Sequence, residues 1–182
     1  MTGREALMAV ERWRAEKDSF LRDHPRSPLR AAARFPRLPY YPYDPPARVA
    51  ANLERAPAPE PVRLATSSGD ERAYLTFGVA RFALADDEAA LTLFAPVDEP
   101  DGPRLFLPFA DATSGNETYG AGRYLDLSFD AGAPREIVLD FNYAYHPYCA
   151  YAEGYSCALP PVGNRLSAAV RAGERLGARS AT

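Results

Sequence analysis

The feature that most constrains this chain is a series of short segments after Val62 in which apolar and polar residues alternate. Turn-forming runs separate the segments, which read RAYLTFGVARFAL, AALTLFAP, RLFLPF, GRYLDLSF and REIVLDFN. Alternation with a period of two places successive side chains on opposite faces of a strand. Short strands at this spacing predict a mainly β fold, with an antiparallel sheet that forms a barrel or a sandwich.

The N-terminal residues have the pattern of an amphipathic helix. Thr2 and Glu5 have the spacing of a capping box, and apolar residues then recur at helical intervals, at Leu7, Val10, Trp13, Phe20 and Leu21. Proline disfavours helix at itself and at the preceding residue, so HPRSPL ends the pattern. We predict a helix over residues 4–22 that covers the rest of the fold, with a partner-binding helix as the alternative. The exposed side is expected to hold Arg4, Glu11, Arg12, Glu16 and Asp18.

A proline-rich segment follows, over residues 25–61. We expect it to lie extended across the surface, with Phe35, Leu38 and Tyr40 underneath; a polyproline ligand for another domain is the alternative. The length of 182 residues and the 47% hydrophobic content suit a single domain. Its expected parts are the helix (1–24), the proline-rich segment, a β core (62–172) and a tail (173–182).

The segment NRLSAAVRAGER near the C-terminus fits two kinds of structure. Its composition allows a short helix, whereas Leu166, Ala168 and Val170 alternate with more polar residues. We predict a strand over residues 166–170.

Composition and charge limit the classes of partner. Lys+Arg 21 against Asp+Glu 24 gives a formal net charge of −3, which does not indicate a nucleic-acid-binding surface. No apolar run is long enough to cross a bilayer, and the first residues lack the pattern of a signal peptide. We therefore expect a cytoplasmic protein without a membrane or nucleic-acid partner, and a homodimer is one option. Lys17 is the only lysine, which we attribute to an arginine-rich composition.

A first polar loop, ADATSGNETYGAG, lies between two predicted strands within residues 109–123. It is longer than a usual hairpin connection, and Gly115, Gly120 and Gly122 permit tight turns or close approach of a ligand. The loop is either bonded to itself or forms the rim of a site. It lacks the lysine and the strand-to-helix context of a phosphate-binding or dinucleotide-binding loop.

A second loop, over residues 141–164, holds five of the 11 tyrosines. It also holds His146, Cys149 and Cys157. The spacing does not match a CxxC zinc knuckle and only one cysteine pair exists, so we expect no metal and regard a Cys149–His146 catalytic pair as a minor alternative. Two cysteines are too few for a disulfide scaffold; we expect free thiols, with a disulfide that closes this loop as the alternative.

Arg123 alternates with Leu125 and Leu127 at the start of a predicted strand, so it is expected to point toward the core. A buried arginine needs a partner because an unpaired buried charge is very costly. The candidate partners are Glu117, Asp126, Asp140 and Glu174. Arg123 is therefore either a structural ion pair or an anion-binding residue at a barrel mouth.

Several motifs resemble the family called domain of unknown function 1684, which occurs in bacteria and archaea. They are LFLPFADATSGNETYGAGRYLDL, LDFNYAYHPYCAY, YSCALPP, NRL and AGE, with KDSF, SPL and LPYYP in the N-terminal part. The resemblance covers nearly the whole chain and implies no reaction. The family pattern has asparagine where this chain has His146 and glutamate where this chain has Gly163. The first difference weakens a catalytic or metal role for His146. Residues that match the family pattern are Glu117, Tyr119, Arg123, Asp140, Asn142, Cys149 and Cys157.

The leading hypothesis is a protein that binds an anionic small molecule, or an enzyme acting on one, in a pocket formed by the two loops. The predicted ligand-binding residues are Arg123, Asn116, Thr118, Asn142 and Tyr148. The predicted proton-transfer residues are Glu117, Tyr119 and Asp140. No cofactor is expected. The alternatives are a structural or protein-interaction module, and a flavin-binding protein similar to split barrels.

Overall fold

Six antiparallel strands and one N-terminal helix make up the computed structural model, which describes residues 2–29, 37–84, 87–100, 103–133 and 135–177. The helix α1 spans Gly3–Asp23. The strands are β1 (Arg48–Ala65), β2 (Glu71–Leu84), β3 (Asp87–Ala95), β4 (Arg104–Phe109), β5 (Arg123–Ser128) and β6 (Glu136–Asp140). Within the described residues, no helix is long and apolar enough to cross a membrane.

The strands lie in the order β5-β4-β3-β2-β1-β6, and the sheet curls until it is nearly closed. Strand β6 pairs with β1, so the last strand returns toward β5 at the other edge. Alternating apolar side chains fill the interior, as period-two patterning requires. They include Phe77, Leu91, Leu107, Phe109 and Leu139. The predicted mainly β, barrel-like fold with an N-terminal helix is confirmed.

The β core begins earlier than the sequence pattern indicates. Strand β1 starts at Arg48 and pairs with both β2 and β6, so the boundary predicted at Val62 is wrong. Proline has no N–H to donate to a neighbouring strand, so a proline-rich sequence gives a weak strand signal. The register shifts between Arg55 and Glu60, and this irregular stretch accommodates Pro57 and Pro59.

The prediction of α1 and its capping box is confirmed, but its buried face differs. The Thr2 hydroxyl accepts from the Glu5 N–H, and the Glu5 carboxylate accepts from the Thr2 N–H. Leu7 is 39% exposed, whereas Arg14 and Asp18 are buried. Asp18 accepts a hydrogen bond from the Leu38 N–H at 3.2 Å, so this carboxylate joins α1 to the proline-rich segment. Leu38 is buried as expected; Phe35 lies outside the described residues.

The C-terminal segment forms neither the predicted strand nor a helix. Residues 164–177 run without regular structure, with isolated bridges at Arg165 and Glu174. Three of the segment's carbonyl groups accept hydrogen bonds from the Arg123 side chain instead of a neighbouring strand. Gly173 and Glu174 are buried, so the tail predicted from residue 173 is part of the packed fold as far as residue 177.

Candidate functional site

The first loop is bonded to itself. The Asp111 carboxylate accepts from the Thr113 N–H at 2.7 Å and from the Thr113 hydroxyl at 2.6 Å. The Thr113 and Thr118 hydroxyls lie 2.8 Å apart. Gly115 and Gly122 have φ values of 88° and 90°, which permit the turns. Of the two interpretations that the sequence left open, the self-bonded loop is the one observed.

Arg123 lies inside the barrel with its side chain fully buried. Its Nη2 donates to the Asp111 carboxylate at 2.7 Å and to the Val170 carbonyl at 2.7 Å, and Nη1 donates to two further carbonyls of the C-terminal segment. The ion-pair partner of Arg123 is thus Asp111. The sequence-based prediction, which offered four other carboxylates as partners, is wrong. Asp111 was missed because its distance from Arg123 depends on how the loop folds. Anion binding by Arg123 stays a prediction.

The three predicted proton-transfer residues have different surroundings. Glu117 accepts from Arg171 at 2.7 Å and from the Tyr41 hydroxyl at 3.0 Å, and the Arg171 hydrogen bonds hold the pKa of this carboxyl below its usual value. The Tyr119 N–H donates to His146 Nε2 at 3.2 Å, and burial together with the Cys149 thiol raises the pKa of Tyr119 to about 12. Asp140 accepts from the Asn142 N–H at 3.1 Å.

The remaining predicted ligand-binding residues divide into structural and exposed positions. The Asn142 amide exchanges two hydrogen bonds of 2.8 Å with the backbone of Asp44 and is fully buried. Thr118 is also fully buried, against Thr113. Asn116 is exposed. Tyr148 is half-buried and is the predicted residue that lines a cleft.

This cleft, which we name the aromatic cleft, has a volume of about 290 Å³ and lies between the tip of the β1–β2 hairpin, strands β4 and β5, and the second loop. None of its lining residues belongs to the first loop, 109–123. The lining residues are Arg72, Tyr74, Phe106, Tyr124, Tyr145, Pro147, Tyr148, Tyr155, Ser156, Cys157 and Ala158.

The aromatic rings of the cleft contact one another in a continuous wall. Phe106 stacks on Tyr74, with centroids 5.2 Å apart and an interplanar angle of 16°, and meets Tyr124 edge-on at 4.7 Å. Tyr124 meets Tyr145 edge-on at 5.7 Å. These are the favourable stacked and T-shaped geometries of aromatic pairs, so the wall is pre-formed.

Hydrogen bonds hold the hairpin tip against the second loop. The Ser67 hydroxyl donates to the Tyr155 carbonyl at 3.1 Å, and the Ser67 N–H donates to the Cys157 carbonyl at 2.9 Å. The Ser156 hydroxyl donates to Asp70 at 2.7 Å, and this bond, with those from two other hydroxyls, lowers the pKa of the Asp70 carboxyl. Two segments that are distant in the sequence are thus joined into one edge of the cleft.

Comparison with known proteins places these features in a family. The family model described as "Protein of unknown function (DUF1684)" matches residues 33–175. The chain belongs to the DUF1684 family. The resemblance seen in the sequence is thereby confirmed. The solution NMR structure of an uncharacterized protein from gene locus rrnAC0354 of Haloarcula marismortui is similar, with 37% identity over 97% of each chain and a TM-score of 0.75. No curated protein matches the chain.

In this DUF1684 protein, the cleft also contains residues that the sequence did not indicate. The cluster of tyrosines in the second loop was a visible signal, and it led to Tyr148. Arg72, Tyr74 and Phe106 lie on strands, and only the pairing of those strands brings them to the second loop. No local pattern marks them, because each one alone has the appearance of an ordinary strand residue.

Proposed function

We propose that this DUF1684 protein binds a small, planar, anionic molecule in the aromatic cleft. The observation that carries the proposal is a wall of Tyr and Phe rings with the guanidinium of Arg72 at its edge. Among the described residues that line the cleft, Arg72 is the only charged one, and it is exposed. A planar ligand would stack on the rings, and its anionic group would pair with Arg72.

The hydroxyl groups support orientation of a ligand. Tyr124 donates to the Ala158 carbonyl at 2.6 Å, and Tyr145 donates to Asp126 at 2.8 Å, so both are already engaged. Among the described residues, the hydroxyls of Tyr148 and Tyr155 have no hydrogen-bond partner. Each is able to donate to or accept from a polar group on a ligand.

The proposal keeps the predicted class of ligand and changes the residues that contact it. The second loop supplies much of the cleft wall, while Arg72 takes the role that the sequence suggested for Arg123. The volume of about 290 Å³ is near the lower end for small-molecule sites, which favours a ligand of one or two rings. Proton transfer by Glu117, Tyr119 or Asp140, the flavin and interaction-module alternatives, a homodimer and a cytoplasmic location stay predictions.

Binding of 2-naphthoate, with neutral 2-naphthamide as the comparison, tests the proposal by isothermal titration calorimetry. We expect saturable binding of 2-naphthoate, weakened about ten-fold or more by Arg72→Met because a charge-assisted hydrogen bond is lost. Binding of 2-naphthamide should change little in that variant. Tyr155→Ala should weaken both probes because it removes part of the ring wall.

Arg63→Met is the matched control. Arg63 is on the neighbouring strand, is 71% exposed, and precedes Leu64, the register partner of Arg72, so it points to the opposite face of the hairpin. It should leave 2-naphthoate binding unchanged. Absence of saturable binding, or equal losses from Arg63→Met and Arg72→Met, would contradict the proposal.

A further inference from the structure

Glu174 lies in the C-terminal segment and bonds to the second loop at three places, although it does not line the aromatic cleft. Its N–H donates to the Ala144 carbonyl at 2.8 Å, and its carboxylate oxygen Oε2 accepts from the His146 N–H at 2.8 Å. The Tyr151 hydroxyl donates to the same oxygen. A single residue thus holds the part of the second loop that spans residues 144–151.

Two of these bonds hold the residues on either side of Tyr145, whose ring lines the aromatic cleft. The Tyr145 main chain also exchanges hydrogen bonds of 3.0 Å and 2.8 Å with Tyr124 on β5. Pro147 and Tyr148 follow along the chain and continue the lining of the cleft. The direction of the Tyr145 ring therefore depends on bonds that Glu174 makes outside the cleft.

Lys17 on α1 supplies the counter-charge for Glu174. Its Nζ forms an ion pair with Oε1 of Glu174, and the two side chains are 13% and 1% exposed. The same ammonium group lies 4.4 Å from the ring centre of Tyr145, within the range of a cation–π contact. Helix α1, the C-terminal segment and the second loop are thereby joined at one buried point.

We propose that Glu174 is the positioning residue of the aromatic cleft. Its carboxylate keeps residues 144–151 in the conformation in which Tyr145 and Tyr148 form the cleft wall, and Lys17 balances its charge. Without this acceptor, two buried donors lose their partner, and the loop satisfies them by moving toward water. The inference rests on the function proposed for the cleft, and it adds that ligand binding depends on a residue that does not contact the ligand.

Two double variants separate the hydrogen bonds of Glu174 from its charge. Both contain Lys17→Met, because removal of the carboxylate alone would leave a buried ammonium group without its counter-charge. The first adds Glu174→Gln, whose amide oxygen is able to accept from the His146 N–H and the Tyr151 hydroxyl as Oε2 does. The second adds Glu174→Leu, whose side chain accepts no hydrogen bond.

Isothermal titration calorimetry compares the two double variants at a temperature at which circular dichroism shows both to be folded. The variant with Glu174→Leu should bind 2-naphthoate and 2-naphthamide about ten-fold or more weakly than the variant with Glu174→Gln does. The two probes should lose affinity equally, since Glu174 acts on the ring wall and not on the anionic group. A purely structural role would lower the thermal midpoint and leave the affinity of the folded protein unchanged.

Thiol labelling measures the position of the loop without a ligand. Cys157 is buried and lines the cleft, so its reaction with iodoacetamide requires the loop to open. The variant with Glu174→Leu should react about ten-fold or more faster than the variant with Glu174→Gln. Equal labelling rates would overturn the proposal, as would equal affinities if the native protein binds the probes. Different labelling rates in a protein that binds neither probe would contradict the function proposed for the cleft and leave the positioning role in place.

Asp18→Leu is the matched control. This buried carboxylate also joins α1 to another segment, through the Leu38 N–H at 3.2 Å, but within the described residues it bonds to no part of the second loop. The change should lower the thermal midpoint while the affinity for both probes and the rate of thiol labelling stay as in the native protein. Losses as large as those from Glu174→Leu would contradict a specific role for Glu174.

Discussion

Arg123 and Asp111 form an ion pair inside the barrel, with Nη2 2.7 Å from Oδ2 and side chains that are 0% and 1% exposed. Replacing Arg123 by Met should lower the free energy of unfolding by about 3–5 kcal/mol, because the change leaves a buried carboxylate without its counter-charge. It also removes the donor from three backbone carbonyls. Urea unfolding followed by circular dichroism measures the loss.

The exposed pair between Arg171 and Glu117 is the control for this prediction. Arg171 is 62% exposed, so Arg171→Met should cost far less stability than Arg123→Met does. The double variant Arg123→Met with Asp111→Leu should be less destabilised than the sum of its single variants, since it removes both buried charges. A loss below about 1 kcal/mol for Arg123→Met would show that the ion pair does not hold the barrel interior together.

Local sequence patterns predicted much of the sheet because they depend on neighbouring residues. Alternation located strands β2 to β6, and the position of Arg123 in phase with Leu125 correctly predicted that it points inward. The same reasoning failed for β1, in which a register shift places Pro57 and Pro59 outside regular pairing. It also failed for residues 166–170, where the Val170 carbonyl accepts from the Arg123 side chain and no regular strand pairing forms.

The aromatic cleft was harder to predict because it joins residues that are distant in the chain. The tyrosine-rich loop led to Tyr148, but Arg72 reaches that loop only through the β1–β2 hairpin. Lys17 was visible as the only lysine, and its pairing with Glu174 spans almost the whole chain. Long-range proximity of this kind is set by topology, and a single sequence contains no periodic signal for it.

His146 makes stability depend on pH. Burial, together with the positive charges of Arg123 and Lys17, lowers its pKa to about 3, although the Glu174 carboxylate lies 3.6 Å away. The unfolded chain takes up a proton at this site below about pH 6.5, whereas the folded chain does so only near pH 3. Stability from this site is therefore lost as the pH falls below about 6.5, by about 2 kcal/mol at pH 5.

Urea unfolding at pH 7.5 and pH 5.0 checks this contribution against His146→Asn. Asparagine is able to accept from the Tyr119 N–H, as Nε2 of His146 does at 3.2 Å, but it does not titrate. The loss of stability between the two pH values should be about 2 kcal/mol smaller in the variant. Equal losses in the two proteins would mean that His146 takes up its proton in the folded state at an ordinary pH.

Gly122 should tolerate a side chain much less well than Gly69 does. Both have positive φ, of 90° and 87°, so replacement by Ala carries a similar backbone cost of about 1–2 kcal/mol at each position. At Gly122, a Cβ would in addition overlap the Phe109 carbonyl and the ring of Pro160, whereas at Gly69 it would meet open space. Gly122→Ala should therefore lower the thermal midpoint distinctly more than Gly69→Ala, and equal shifts would contradict the close approach of these segments.

Cys149 and Cys157 should form an intramolecular disulfide under mild oxidation. Both are free thiols, and the Cys149 N–H lies 3.3 Å from the Cys157 sulfur. Burial raises the pKa of the Cys157 thiol, so at pH 7 it is mainly protonated and a poor nucleophile. Oxidation by diamide should thus be faster at pH 9 than at pH 7, and mass spectrometry should show the loss of both thiol hydrogens in a monomer.

The serine variants separate this bridge from other oxidation products. Cys149→Ser and Cys157→Ser should each abolish the intramolecular product, because each removes one of its sulfur atoms. Cys157 lines the aromatic cleft and Cys149 belongs to the same loop, so the bridge would restrain the loop that supplies Tyr148 and Tyr155. Binding of 2-naphthoate should consequently differ between the reduced and the oxidised protein. Formation of intermolecular dimers alone would show that the two sulfur atoms do not approach each other within the folded chain.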